Sequence, residues 1–276
     1  MNKLALLLLT LMPLGLFAYS DYDMDGVEDA ADKCPNTPFS ELVDDMGCGT
    51  QSLVSPHHYD IIYGVNFYQS DYQTLEKADT LSQSLQLDYY YKNFSLQASS
   101  SYYTSQDNSG MNDSFLGAYY KIKQDNGLNI RLGAGIILPT YQTDLYNNDT
   151  DYTASVNLSY MHEGVNIFGG YGYTIINDSE TNASIIGTKT STKKYVYNNT
   201  DSFNIGLGFY PQKRLYVSGS YNTTQSMYTG EESIDTASLY GFYTIDENWF
   251  ASFSYGYGLS STASDNSASL RLGYYF

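Results

Sequence analysis

Residues 21–32 read D-Y-D-M-D-G-V-E-D-A-A-D. That spacing suits a loop wrapped around a hard cation. Oxygens from Asp21, Asp23 and Asp25 converge when the chain turns sharply, and Gly26 permits the turn. Val27 offers its backbone carbonyl, Asp29 can reach the ion directly or through water, and Asp32 closes the loop at its twelfth position. The cofactor expected from these donors is Ca²⁺. A second group of charges, Asp88, Arg131 and Arg271, stands far apart in the chain among small polar residues. Brought together in a water-filled passage, they could act as constriction charges that select solutes. Nucleophilic catalysis has little to work with. The three histidines, His57, His58 and His162, all fall near predicted strand ends beside tight turns, and a serine nucleophile needs a histidine base within hydrogen-bond reach. No enzyme activity is expected.

The elements that must position these residues are strands. From His58 onward the chain falls into about twelve stretches of period-two alternation, the periodicity of a strand with one oily and one polar face. The first puts Tyr59, Ile61, Tyr63, Val65 and Phe67 on one side, with Asp60, Ile62, Gly64 and Asn66 on the other. Another sets Leu128, Ile130, Leu132, Ala134, Ile136 and Leu138 in an unbroken stripe. The opposite parity is mostly small and uncharged, as in Ser82, Ser84, Gln86, Asn157, Ser159, Asn204, Ser218 and Ser254, with Asp60, Asp88, Lys121, Arg131 and Arg271 as its few charges. Residues 237–245 carry aromatics on both parities, so their facing stays open.

Tight connections near residues 92–93, 124–127, 163–164, 211–214 and 246–248 alternate with long ones at 69–80, 104–112, 139–150, 177–200, 222–233 and 260–266. A transmembrane barrel keeps that asymmetry, whereas a sandwich or propeller has no reason to. The expected fold is all-β: a transmembrane antiparallel β-barrel of about 12 strands, with a small N-terminal calcium-binding loop module. Aromatic belts are expected at Tyr160, Phe209, Trp249 and Phe276 on the tight-turn side, and at Phe67, Tyr102, Tyr152, Phe203 and Tyr257 on the other.

The first 20 residues combine Lys3, an apolar centre and a small-residue end, and are expected to be a signal peptide. Residues 21–50 then form the calcium module, 51–57 a linker and 58–276 the barrel. A formal net charge of −17 argues against a nucleic-acid partner. The two cysteines, Cys34 and Cys48, stand close together in an exported chain and are expected to pair. Such a disulfide would stabilise a core-poor module by about 3 kcal/mol in the chain-entropy picture. An acidic, unstructured tail is the other reading of residues 21–48.

Two resemblances sharpen these expectations. The last residues, S-A-S-L-R-L-G-Y-Y-F, place Ala268, Leu270, Leu272, Tyr274 and Phe276 on alternate positions and resemble the closing strand of bacterial outer-membrane β-barrels. That resemblance implies insertion by the barrel-assembly machinery and outer-membrane lipid as a partner, and an even strand count would leave both barrel ends on the periplasmic side. The pattern D-x-D-x-D-G-V-x-D-x-x-D-x-C-P-x-T-P over residues 21–38 resembles a thrombospondin type 3 repeat, as found in bacterial envelope proteins. It implies bound Ca²⁺ and a repeat wrapped around metal, here on the periplasmic side. The chain carries a single copy, where such repeats usually stand in tandem. The expected function is a porin-like channel for small polar solutes. The alternatives are a non-conducting structural barrel, a lumen plugged by residues 21–56, or adhesion through outer loops that include Lys189, Lys193 and Lys194.

Overall fold

The computed structural model describes residues 27, 32–34, 37, 43, 57–70, 78–106, 108–124, 127–141, 149–178, 181–185 and 191–276. Fifteen strands follow in order: β1 (His57–Ser70), β2 (Ala78–Tyr91), β3 (Phe94–Thr104), β4 (Ser109–Met111), β5 (Ser114–Lys123), β6 (Leu128–Leu138), β7 (Asp151–His162), β8 (Val165–Ile175), β9 (Thr181–Ile185), β10 (Ser191–Tyr195), β11 (Thr200–Gln212), β12 (Leu215–Thr224), β13 (Ile234–Thr244), β14 (Trp249–Gly258) and β15 (Asn266–Tyr275). No helix occurs among the described residues. Each of the twelve long strands β1–β3, β5–β8 and β11–β15 pairs antiparallel with its neighbours, and β1 pairs with β15 as well as β2, so the sheet closes. The barrel begins at His57, one residue before the sequence reading placed it. Two features inside long connections escaped that reading: β4 adds an extra short strand beside β3, and β9 and β10 form a separate hairpin.

Closure removes the unpaired edges that would otherwise template aggregation and leaves every interior strand hydrogen-bonded on both sides. The tight turns work by local backbone chemistry. Glu163 and Gly164 link β7 to β8 with φ of 49° and 78°, the paired positive φ that a two-residue hairpin of matching twist requires. Lys92, at φ 52°, opens the β2–β3 turn. All the tight turns lie at one end of the barrel, together with His57 and Phe276, and all the long connections lie at the other. The ends of the chain meet there: Tyr59 N–H donates to Phe276 O (2.8 Å) and Phe276 N–H donates to Tyr59 O (3.0 Å).

Burial is inverted relative to a soluble protein. Among the described residues, Met161 and Ala263 alone are buried hydrophobics, whereas Asp60 (8 % exposed), Asn66 (5 %), Ser82 (4 %), Asp88 and Ser218 are buried. The exposed set is aliphatic and aromatic, reaching 64 % at both Ile205 and Leu270. An apolar band of this extent facing outward makes sense against lipid, not water. All nine expected belt aromatics, from Tyr160 to Tyr257, are exposed on it. Register settles residues 237–245. Tyr240 pairs with Ser218 and Ser254, and Phe242 with Ser252, which puts both aromatics on the inner face, while Leu239 and Tyr243 face outward.

The strands are staggered. A row of register partners followed once around the wall climbs by about 14 residues before it meets β1 again, a shear that tilts the strands by roughly 40°.

Candidate functional site

The barrel lumen gathers the charges that the sequence scattered. Asp60 and Asp88 are register partners on β1 and β2, and Lys121 and Arg131 are register partners on β5 and β6. Arg271 enters from β15, opposite Gly64. The three predicted lumen residues share one electrostatic neighbourhood, since Asp88 feels both the Arg131 and the Arg271 guanidinium. A polar relay links two of them. Gln86 Nε2 donates to Asp88 Oδ2 (2.7 Å), and Arg271 Nη1 lies 3.5 Å from Gln86 Oε1. Tyr90 OH donates to Asp60 Oδ2 (3.0 Å), while Asp60 Oδ1 is buried with no hydrogen-bond partner. Arg131 stacks over the Tyr119 ring, its Cζ 3.8 Å from the centroid, and Tyr119 OH donates to Gln97 Oε1 (2.9 Å). Among the described residues, no carboxylate lies within 4.0 Å of Lys121, Arg131 or Arg271.

Two cavities lie along this wall. One of about 400 Å³, nearer the tight turns, is lined by Tyr90, Tyr119, Lys121, Arg131, Asn157 and Phe168 among others. A smaller one of about 190 Å³ lies between Asn66, Ser82, Gln86, Ser99, Asn112 and Arg271. Elsewhere the small polar residues bond one another. Ser269 OH donates to Asn66 Oδ1 (2.7 Å) and Asn222 Nδ2 to Ser238 Oγ (2.9 Å).

The expectation of a mostly small lumen needs one correction. Tyr90, Phe115, Tyr119, Phe168, Tyr216, Tyr240, Phe242 and Phe250 share the inner parity with the serines and glycines. Phe115, Tyr119, Phe168, Tyr216 and Phe250 fit because glycine lies beside them. A Cβ on Gly206 would stand 2.3 Å from Phe168 Cζ, and one on Gly133 would stand 2.7 Å from the Tyr119 ring. Each of these rings therefore occupies space that a side chain would fill. The sequence signal was an aromatic sharing parity with Ser, Asn and Gly, masked by the assumption that aromatics face lipid.

The histidines do not form a site. His57 and His58 open β1 and His162 ends β7; His57 Nδ1 lies 2.6 Å from Tyr89 OH, and His58 stacks on Tyr275.

Of the calcium-loop candidates, Val27 and Asp32 are described, while Asp21, Asp23, Asp25 and Asp29 lie outside the described residues. Among the described residues no group of three or more His, Cys, Asp or Glu side chains is placed to hold a metal. Asp32 fits the expectation at one point. Its Oδ1 accepts from Cys34 N–H (2.7 Å), and its Oδ2 is buried with no hydrogen-bond partner, a costly arrangement that a cation would relieve. No described cysteine is free; Cys48, and with it the Cys34–Cys48 pairing, lies outside the described residues.

Solved structures share this architecture. The COG4313 outer membrane channel from Pseudomonas putida F1 superposes with a TM-score of 0.63, covering 85 % of this chain and 100 % of its own at 10 % identity. The KdgM porin, solved in complex with disordered oligogalacturonate, gives a TM-score of 0.51 over 79 % of this chain and 98 % of its own, at 11 % identity. At these identities the likeness establishes an outer-membrane porin-like barrel fold. No curated protein matches the sequence. A family profile does, over residues 49–276, and the chain accordingly belongs to the family described as "Putative MetA-pathway of phenol degradation".

Proposed function

We propose that the protein is a passive outer-membrane channel for small polar solutes, carrying a Ca²⁺-binding repeat at its periplasmic mouth. The observation that carries this reading is the state of the lumen cations. Arg131 and Arg271 are exposed inside a closed barrel, and neither has a carboxylate of the described residues within 4.0 Å. Exposed cations with no carboxylate partner need water, and in a lipid-embedded barrel that water must occupy the lumen. The names of the structural neighbours, a channel and a porin, support the same reading, as does a family description that speaks of phenol degradation, since phenol is a small hydroxylated solute.

In this mechanism the barrel wall excludes lipid and the inner serines and asparagines replace part of a solute's hydration. Asp88, standing between Arg131 and Arg271, sets up a transverse field that orients dipolar solutes. Asp21, Asp23, Asp25, Asp29 and Asp32, with the Val27 carbonyl, would hold Ca²⁺. The ion would neutralise the carboxylates and hold the repeat folded, with Cys34–Cys48 as a covalent clasp. The C-terminal strand would be read by the barrel-assembly machinery.

A second reading, a non-conducting structural or surface-recognition barrel, is favoured by the hydrogen bonds that the wall residues make with one another. Planar-bilayer conductance of the refolded protein separates the two. Discrete steps support the channel, and steps that change when Ca²⁺ is chelated place the repeat at the mouth. A correctly folded but silent barrel refutes conduction.

A further inference from the structure

We infer that the larger lumen cavity is a binding site for small aromatic carboxylates, which narrows the substrate class of the proposed channel and rests on that reading for its role in transport. Its volume of about 400 Å³ lies within the roughly 300–1,000 Å³ of small-molecule pockets. Its walls supply two unlike things. Phe168, seated beside Gly206, supplies an apolar ring to the cavity wall against which a planar ring can pack. Lys121, Lys123 and Arg131, all on β5 and β6, supply positive charge along one side.

Two of these cations, Lys121 and Arg131, are placed to hold a ligand and not to hold the fold. Lys121 and Arg131 face each other in register, a like-charge pairing that costs stability, and neither has a carboxylate of the described residues within 4.0 Å. Arg131 is held over Tyr119, which fixes the guanidinium plane and leaves its edge to accept a two-pronged carboxylate. The acids that could have neutralised this group, Asp60 and Asp88, stand on β1 and β2 and are engaged by Tyr90 and Gln86. An anion entering here is therefore drawn to the β5–β6 side and pushed from the β1–β2 side, which sets the orientation of the ring it carries. Asn157 and Asn204 line the same cavity and can satisfy a ring hydroxyl.

The test is binding to the full-length barrel refolded in detergent, read by fluorine NMR line broadening, so that it does not depend on conduction. Three probes separate the contributions: a fluorinated benzoate, a fluorinated phenol with the ring but no charge, and trifluoroacetate with the charge but no ring. Saturable broadening of the benzoate is expected, with the other two bound about tenfold more weakly. Lys121→Gln and Arg131→Gln should each weaken benzoate about tenfold and leave the phenol unchanged, and Phe168→Leu should weaken benzoate but not trifluoroacetate. Heat-modifiable gel migration confirms that each variant is folded, and Lys121→Gln serves if Arg131→Gln does not fold. Benzoate bound no better than trifluoroacetate or the phenol, or unaffected by both cation substitutions, overturns the site. A silent bilayer with benzoate still bound sinks the channel and keeps the site; conductance without benzoate binding does the reverse.

Discussion

Leucine 270 offers the sharpest test of the inside-out arrangement. It sits at the middle of β15, 64 % exposed on the outer face, paired with Val65 on one side and Phe253 on the other. Its two chain neighbours, Ser269 and Arg271, point inward, where Ser269 OH donates to Asn66 and Arg271 reaches Gln86. A single residue thus separates a native arginine in the lumen from a leucine in the lipid. Leu270→Arg moves a guanidinium onto the lipid face near the bilayer midplane, which costs roughly 2–4 kcal/mol in outer-membrane barrels. At about 1.4 kcal/mol per factor of ten, the folded-to-unfolded ratio should fall roughly 30- to 800-fold. Ser269→Arg adds the same group one position away but into water, and loses one hydrogen bond worth about 1 kcal/mol. The assay is urea-dependent refolding into lipid vesicles, followed by heat-modifiable migration, which needs no assembly machinery. Equal penalties for the two variants, or a neutral Leu270→Arg, would falsify the assignment of the outer face to lipid.

Other perturbations follow from the same structure. Asp246 caps the β13–β14 turn by accepting from the N–H groups of Asn248 (2.9 Å) and Trp249 (2.8 Å), and these bonds hold its carboxyl below the usual carboxylate value. A depressed folded value adds stability that is complete above the unfolded carboxylate value of about 3.9 and disappears as pH falls through the folded one. Asp246→Ala should destabilise the barrel at neutral pH and shrink the gap to wild type in strong acid; a gap constant over that pH range would refute the capping role. Gly206→Ala places a Cβ 2.6 Å from the Gly219 carbonyl oxygen as well as against Phe168, so a loss of about 1–3 kcal/mol is expected in the same refolding assay. For the repeat, Ca²⁺ should protect residues 21–56 from protease with a midpoint at roughly 10⁻⁴–10⁻³ M. Asp32→Ala should abolish that protection while the barrel keeps its migration shift. Protection that persists in chelator would argue against a metal-built module.

The barrel was legible because lipid imposes a rule that sequence obeys residue by residue. Every outward position in Tyr59–Phe67 and Leu128–Leu138 had to be apolar, and the six long connections had to share one end. The lumen charges were legible for a related reason: Asp88, Arg131 and Arg271 interrupt otherwise uncharged parities, and a charge on a barrel strand has water on one side only. What parity could not convey was which inner residues meet. Arg131 and Tyr119 are not register partners, and their stacking depends on Gly133 clearing the wall. Nor could it separate the lumen aromatics from the belts, since Phe168 and Ile167 are both apolar and alternate faces. The hairpin of β9 and β10 was hidden because it stands within a long connection, apart from the closed sheet whose alternation carried the reading.

The stagger of the strands gives the passage a handedness. The row of partners that starts with Asp60 and Asp88 continues through Gln97, Gly117, Gly135, Thr153, Thr174 and Thr200. It begins beside the tight turns and ends beside the long loops, and Thr174 OH donates to Thr153 Oγ1 on the way (3.1 Å). Every member is polar or glycine, whereas Phe168, Tyr216, Phe242 and Phe250 all lie off it. This polar row thus climbs the wall as a screw thread, not as a ring, and any molecule that kept to it would turn about the barrel axis as it advanced.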